Sequence, residues 1–120
     1  MDNVQAVKVP VCVSAKKKAL SSRGINNFSE WVKRPSSLYI GRDMTRYVEG
    51  AVGSKWGNPF TPKHGDLSTR LALYEERVRA SAHLMSSLGE LEDRELGCWC
   101  KPAPCHGDVL IKLYCESVHN

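Results

Sequence analysis

No stretch of this 120-residue chain is apolar over the length a membrane-spanning helix needs. The N-terminal MDNVQAVKVP also lacks the basic-then-apolar order of a secretory signal. Together these absences lead us to expect a soluble, intracellular, cytoplasmic protein with no membrane partner. Internal repeats and low-complexity segments are missing as well, which excludes a solenoid or a disordered tail. The cysteines number five, an odd count without an export signal, so a disulfide framework is excluded and reduced thiols are expected.

What is present is a globular composition. Hydrophobic residues make up 42% and charged residues 25%, enough for one domain around one modest core. Nine glycines and six prolines point to long loops. The net charge of +4 is unevenly spread, with nine basic against four acidic side chains in residues 1–50 and eight against nine in residues 51–120. Lys16, Lys17, Lys18, Arg23, Lys33 and Arg34 supply the excess. They suit either a phosphate backbone, making nucleic acid a partner through the basic N-terminal half, or a solvated loop.

The hydrophobic patterning sets the order of elements. Val7, Val9, Val11 and Val13 alternate in VKVPVCVSA (7–15), a strand whose Pro10 cannot donate to a ladder and so belongs at a sheet edge. SSLYIGR (36–42) reads as a second strand stopped by Gly41, with a short helix after Asn27 between the two. Leu71, Tyr74, Val78, Ala82, Met85 and Leu88 recur at steps of three or four. They predict one helix over 68–88, capped by Asp66 or Ser68 and ended by Gly89. ELGCWC (95–100) reads as a third strand, with Leu96, Cys98 and Cys100 on one side and Gly97, Trp99 and Lys101 on the other. A last helix starts at about Gly107 and buries Val109, Leu110, Leu113 and Tyr114. Strand, helix, strand, helix implies parallel second and third strands joined by a right-handed crossover. Ligands of such sheets sit beyond the strands' carboxyl ends.

Two segments carry candidate chemistry. Residues 42–65 form a long connection without periodicity, in which WGNPF (56–60) is either a packed loop or part of a site. In it Gly57 permits positive φ, and Asn58, held extended by Pro59, can turn its amide inward. CWCKPAPCHGD (98–108) supports three readings. In one, Cys98, Cys100, Cys105 and His106 bind zinc, although one nine-residue segment then supplies all four ligands. In the second, Cys105 at the start of the last helix is a thiol of lowered pKa, with His106 as proton carrier and Asp108 orienting it or capping the helix. The same helix start would also bind an anion, Gly107 allowing close approach. In the third the segment is a well-packed turn. Cys12 and Cys115 look like plain core or surface cysteines.

The blocks YIGR (39–42), WGNPF (56–60) and LGCWCKPAPCHGDVL (96–110), in that order, resemble a small uncharacterised family catalogued as a domain of unknown function, number 4326. VKVPVCVSAKK resembles its usual first strand. The resemblance implies a stand-alone α/β domain and carries over no activity. By motif it points to Tyr39, Gly41 and Arg42, to Gly57, Asn58 and Pro59, and to Cys98, Cys100, Cys105, His106, Gly107 and Asp108. Between the first two strands the chain is longer than the family pattern.

The expectation is therefore one α/β domain over residues 1–120: a basic N-terminal strand and loop (1–35) and a motif-bearing core (36–118). Its sheet has three largely parallel strands, or more, flanked by helices around a Rossmann-like βαβ core. All three blocks should converge at the carboxyl edge, where Arg42 holds an anion, Asn58 positions it, and Trp56 or Tyr39 stacks on a planar ring. The leading function is binding of a nucleotide-like or phosphorylated metabolite, with Cys105, His106 and Asp108 as catalytic candidates for hydrolysis or group transfer. The alternative is a zinc-stabilised nucleic-acid-binding module.

Overall fold

Three short parallel strands form the centre of the molecule. The computed structural model describes residues 8–119. It contains β1 (Val11–Ser14), α1 (Lys17–Ser21), α2 (Phe28–Val32), β2 (Ser37–Tyr39), α3 (Leu67–Ala80), α4 (Ala82–Ser86), β3 (Glu95–Cys98) and α5 (His106–Val118). The strand order is β1-β3-β2, with β3 parallel to both neighbours. Cys12 pairs with Leu96, and Leu38 pairs with Leu96 from the other side. β1 is thus an edge strand by its place in this order; it begins at Val11, after Pro10, rather than running through it, and Val7 lies outside the described residues.

Alternation along the strands divides the core in two. Cys12, Leu38, Leu96 and Cys98 join the side chains of α3, α4 and α5, including Tyr74, Val78, Leu84, Leu110 and Leu113. Val13, Tyr39 and Trp99 point the other way, onto Leu20, Phe28 and Trp31 from α1 and α2. Helices therefore cover both faces, as a parallel sheet demands. Truncating a fully buried leucine such as Leu113 would cost about 2–5 kcal/mol.

The basic segment after β1 is not an open loop. It folds into α1, which buries Leu20, and α2, capped by Asn27 accepting from the Glu30 N–H. The single helix expected over 68–88 is broken at Ser81. Asp66 caps α3 by accepting from Thr69 N–H, and Ser81 leaves helical geometry to cap α4 by accepting from Leu84 N–H. A serine hydroxyl that competes for backbone N–H groups explains the break. The break also turns Leu84 into the core and leaves Met85 half-buried. β3 ends at Cys98 rather than Cys100, because the chain turns there toward α5. Among the described residues no helix is long and apolar enough to cross a membrane.

Candidate functional site

The carboxyl ends of β2 and β3 and the start of α5 enclose a cavity of about 210 Å3. Gly41 and Arg42 reach it from β2, Cys98, Trp99 and Cys100 from β3, and Cys105 and His106 from α5. Asn58 and Phe60 close one side, and Arg70 and Leu71 of α3 another. Arg42, Asn58, Cys105 and His106, which the sequence places 64 residues apart at the extremes, thus line one space.

A buried imidazole ties the three motif blocks together. His106 Nε2 donates to the Ile40 carbonyl at 2.7 Å, fixing the tautomer with Nδ1 unprotonated. The ring meets Tyr74 edge-on at 5.0 Å. Tyr74 in turn donates its hydroxyl to the Trp56 carbonyl at 2.7 Å, binding the WGNPF loop to α3. Burial lowers the His106 pKa and raises that of Tyr74, so both are neutral. Tyr74 carried a core periodicity in the sequence but no signal of this bridging role.

Several expected site residues have other work. Tyr39 is buried among Phe28 and Trp99 and donates to the Arg42 carbonyl. Trp56 is 1% exposed and, like Tyr39, lies outside the cavity lining. The aromatic residues that line the cavity are instead Phe60 and Trp99, the latter packed against Phe28 and Tyr39 and donating its Nε1–H to the Tyr39 hydroxyl at 2.7 Å. Gly57 does not use positive φ. Gly107 makes room for a neighbouring side chain rather than a ligand: a Cβ there would lie 2.6 Å from Cys12 Sγ. The Asp108 carboxylate accepts from Cys105 N–H at 3.0 Å and pairs with Lys101 at 2.7 Å, so it caps α5. Neither of those bonds reaches His106.

The cysteines are arranged differently from the zinc set and the reactive-thiol reading of the segment. Cys105 Sγ lies 2.7 Å from Cys98 Sγ, and Cys12 Sγ lies 3.8 Å from Cys98 Sγ on its other side. The three sulfurs fall within 4.8 Å of one another. Cys100, by contrast, is exposed. The neighbouring sulfurs of Cys12 and Cys98, together with burial, push the Cys105 pKa up, against the lowering expected from the helix start. Cys98 accepts from Cys105, and its pKa is shifted down by the neighbouring thiols. No sequence signal within the motif connects Cys12 to this group, because it is 86 residues from Cys98.

The polar groups of the cavity are unevenly satisfied. Arg42 is exposed, donates to the Phe60 carbonyl at 3.3 Å, and pairs with no carboxylate among the described residues. Arg70 donates to the Gly65 carbonyl and is likewise unpaired among them. Asn58 Oδ1 accepts from Phe60 N–H at 2.9 Å, while its amide nitrogen has no partner among the described residues. The arrangement offers two guanidinium groups and one amide donor to a ligand.

A second, more open concavity lies across β1, lined by Cys12, Lys16, Lys18 and Lys101. Only part of the basic segment faces it. Arg23 pairs with Glu95 at 2.7 Å and Arg34 approaches the same carboxylate at 4.0 Å, so these two charges are engaged within the fold.

Comparison with known sequences decides the family. Residues 25–116 match the family described as Domain of unknown function (DUF4326). The chain belongs to this family. An uncharacterized protein of Acanthamoeba polyphaga mimivirus is 36% identical over 86 residues, covering 64% of this chain and 65% of that protein. An uncharacterized 12.4 kDa protein of Enterobacteria phage T4, from the nrdA-td intergenic region, is 32% identical over 65 residues, covering 51% of this chain and 60% of the relative. The chain thus spans less than two thirds of the length of these relatives. No solved structure matches. The DUF4326 match contains every residue of the cavity lining, but Cys12 and β1 precede it.

Proposed function

We propose that this domain binds a small anionic metabolite with a planar ring, of the nucleotide or phosphorylated-metabolite class, in the cavity at the carboxyl ends of β2 and β3. The observation that carries this reading is the pair of arginines, Arg42 and Arg70, that line the cavity without a carboxylate partner among the described residues. Guanidinium groups left free of internal ion pairs suit bidentate recognition of phosphate. Phe60 and Trp99 line the same space, and the free amide donor of Asn58 offers a hydrogen bond. The volume of about 210 Å3 is below the usual ~300 Å3 lower bound for drug-sized ligands. A mononucleotide would accordingly insert its ring or its phosphate and leave the rest at the mouth. Such a site also fits a Rossmann-like reading of β2, α3 and β3, with a right-handed crossover. Cys98 and Cys105 both line the cavity, so a cysteine-assisted hydrolysis or group transfer on the bound ligand would draw on one of these two sulfurs.

The test is calorimetric titration of the full chain with nucleoside monophosphates, the corresponding nucleosides and inorganic phosphate. Saturable binding of a monophosphate, weaker for the nucleoside and for phosphate alone, is expected. Equal affinity for nucleoside and nucleotide would remove the anion from the proposal, and no heat from any of them would end it.

A second reading is favoured by the lysines of the other concavity. Lys16, Lys18 and Lys101 line one open surface, an arrangement suited to a nucleic-acid backbone.

A further inference from the structure

The structure brings three sulfurs from three separate elements to one point. Cys12 comes from β1, Cys98 from the end of β3, and Cys105 from the N-cap of α5. We propose that Cys12, Cys98 and Cys105 are the ligands of a zinc ion, with the fourth coordination position on the side of the cavity that Cys98 and Cys105 line. This site is independent of whether the cavity holds an anion.

The argument is geometric and chemical. Four ligands around zinc, with Zn–S near 2.3 Å and Zn–N near 2.0–2.1 Å, lie on a tetrahedron whose S–S edges are about 3.8 Å and whose S–N edges are about 3.6 Å. The Cys12–Cys98 separation of 3.8 Å already matches an S–S edge. His106 Nδ1 lies 3.7 Å from Cys105 Sγ, near an S–N edge. The Cys98–Cys105 pair, at 2.7 Å, must open by about 1 Å to receive the ion. Soft thiolates select zinc over magnesium or calcium.

The surroundings agree with this assignment. His106 holds its Nε2 hydrogen on the Ile40 carbonyl, which leaves the Nδ1 lone pair beside Cys105, next to the proposed three-sulfur site. Three thiolates around a divalent ion leave one negative charge, and the Lys101 ammonium, which also pairs with Asp108, lines the concavity next to Cys12. Gly107 permits the whole arrangement, since any side chain there would collide with Cys12 Sγ. Cys100, in the zinc set expected from the sequence, is replaced by Cys12: Cys100 is exposed and Cys12 completes the cluster.

The experiment uses the full chain, purified without chelator and examined by native mass spectrometry, then stripped under reducing conditions and titrated with cobalt(II) as a spectroscopic substitute for zinc. One zinc per chain is expected, together with thiolate-to-cobalt charge-transfer absorption and the intense visible bands of tetrahedral cobalt. Cys12→Ser and Cys98→Ser should weaken cobalt binding by more than the roughly 10–100-fold that loss of an outer partner costs. Cys100→Ser and Cys115→Ser should bind as the wild type does. A folded, reduced wild type that gives no charge-transfer band overturns the proposal without recourse to any variant. So does a metal-free chain whose mass is short by two hydrogens, which would mean that a disulfide forms among the cysteines in place of a metal site. Loss of binding in Cys100→Ser equal to that in Cys12→Ser would overturn the ligand set.

Discussion

Trp31 donates its indole N–H to the Glu95 carboxylate at 2.9 Å. Glu95 opens the central strand, and the same carboxylate accepts from Arg23 at 2.7 Å, so one side chain ties the N-terminal helical layer to the sheet. Burial alone would raise the Glu95 pKa, but the hydrogen bonds from Arg23 and Trp31 outweigh it and the net shift is downward. A carboxylate whose folded pKa is depressed contributes stability that is full above its unfolded value, here the usual 4.5, and is lost as pH falls through the folded value. Glu95→Ala, which strands the fully buried Trp31 N–H, should destabilise the fold by about 1–3 kcal/mol at neutral pH. Glu95→Gln should cost less and flatten the loss of stability below pH 4.5. Urea unfolding followed by tryptophan fluorescence from pH 7 to pH 3 reads both effects. An unchanged acid slope in Glu95→Gln would show that the carboxylate is not the titrating group.

Gly97 faces the Trp31 ring so closely that a Cβ would lie 2.2 Å from Cη2. Since β3 is flanked on both sides, neither the strand nor the indole has space to yield. Gly97→Ala should therefore destabilise by about 1–3 kcal/mol through overpacking, measured by denaturant midpoint. A neutral substitution would mean that α2 shifts freely on the sheet.

Asp108 offers a separation of capping from catalysis. Asp108→Ala removes the acceptor for Cys105 N–H and the partner of Lys101, and the loss of a cap costs about 0.5–2 kcal/mol. Asp108→Asn keeps the acceptor and should retain most of that stability. If thermal denaturation showed Asp108→Ala as stable as the wild type, the cap would have no energetic role.

Arg42 and Arg70 should be dispensable for folding and needed for binding. Arg42 is exposed and unpaired among the described residues, so Arg42→Ala should change stability by no more than about 0.5 kcal/mol. Losing a charged hydrogen bond worth about 1.5–3 kcal/mol corresponds to a roughly 10–100-fold weaker affinity for a nucleoside monophosphate. Arg70→Ala should act in the same direction. Titration calorimetry on both variants checks this, and unaltered affinities would remove the arginines from the site.

The lysine-lined concavity predicts salt-dependent contact with nucleic acid. Fluorescence anisotropy with a short single-stranded RNA should show affinity falling steeply between low and physiological salt. Lys16→Glu with Lys18→Glu should reduce both the affinity and the salt slope. No binding at low ionic strength would dispose of this second reading.

The amino-acid sequence by itself determined the parallel α/β class and the meeting of its three motif blocks. Strand alternation, the Asp66 cap and the apolar spacing of α3 and α5 are local properties, readable wherever a short segment decides its own geometry. The carboxyl edge of the sheet follows from strand direction, so topology alone brings Arg42, Asn58, Cys105 and His106 to one edge. Tertiary structure alone decided which atoms face which. Ser81 broke a helix that periodicity made continuous, Tyr39 and Trp56 were drawn into the core by their apolar bulk, and Trp99 and Phe60 took their place at the cavity. The cysteine cluster is the clearest case, because packing β1 beside β3 sets Cys12 against Cys98 across 86 residues of chain. A long-range juxtaposition of that kind depends on register and on the absence of a side chain at Gly107, and neither is encoded in local spacing.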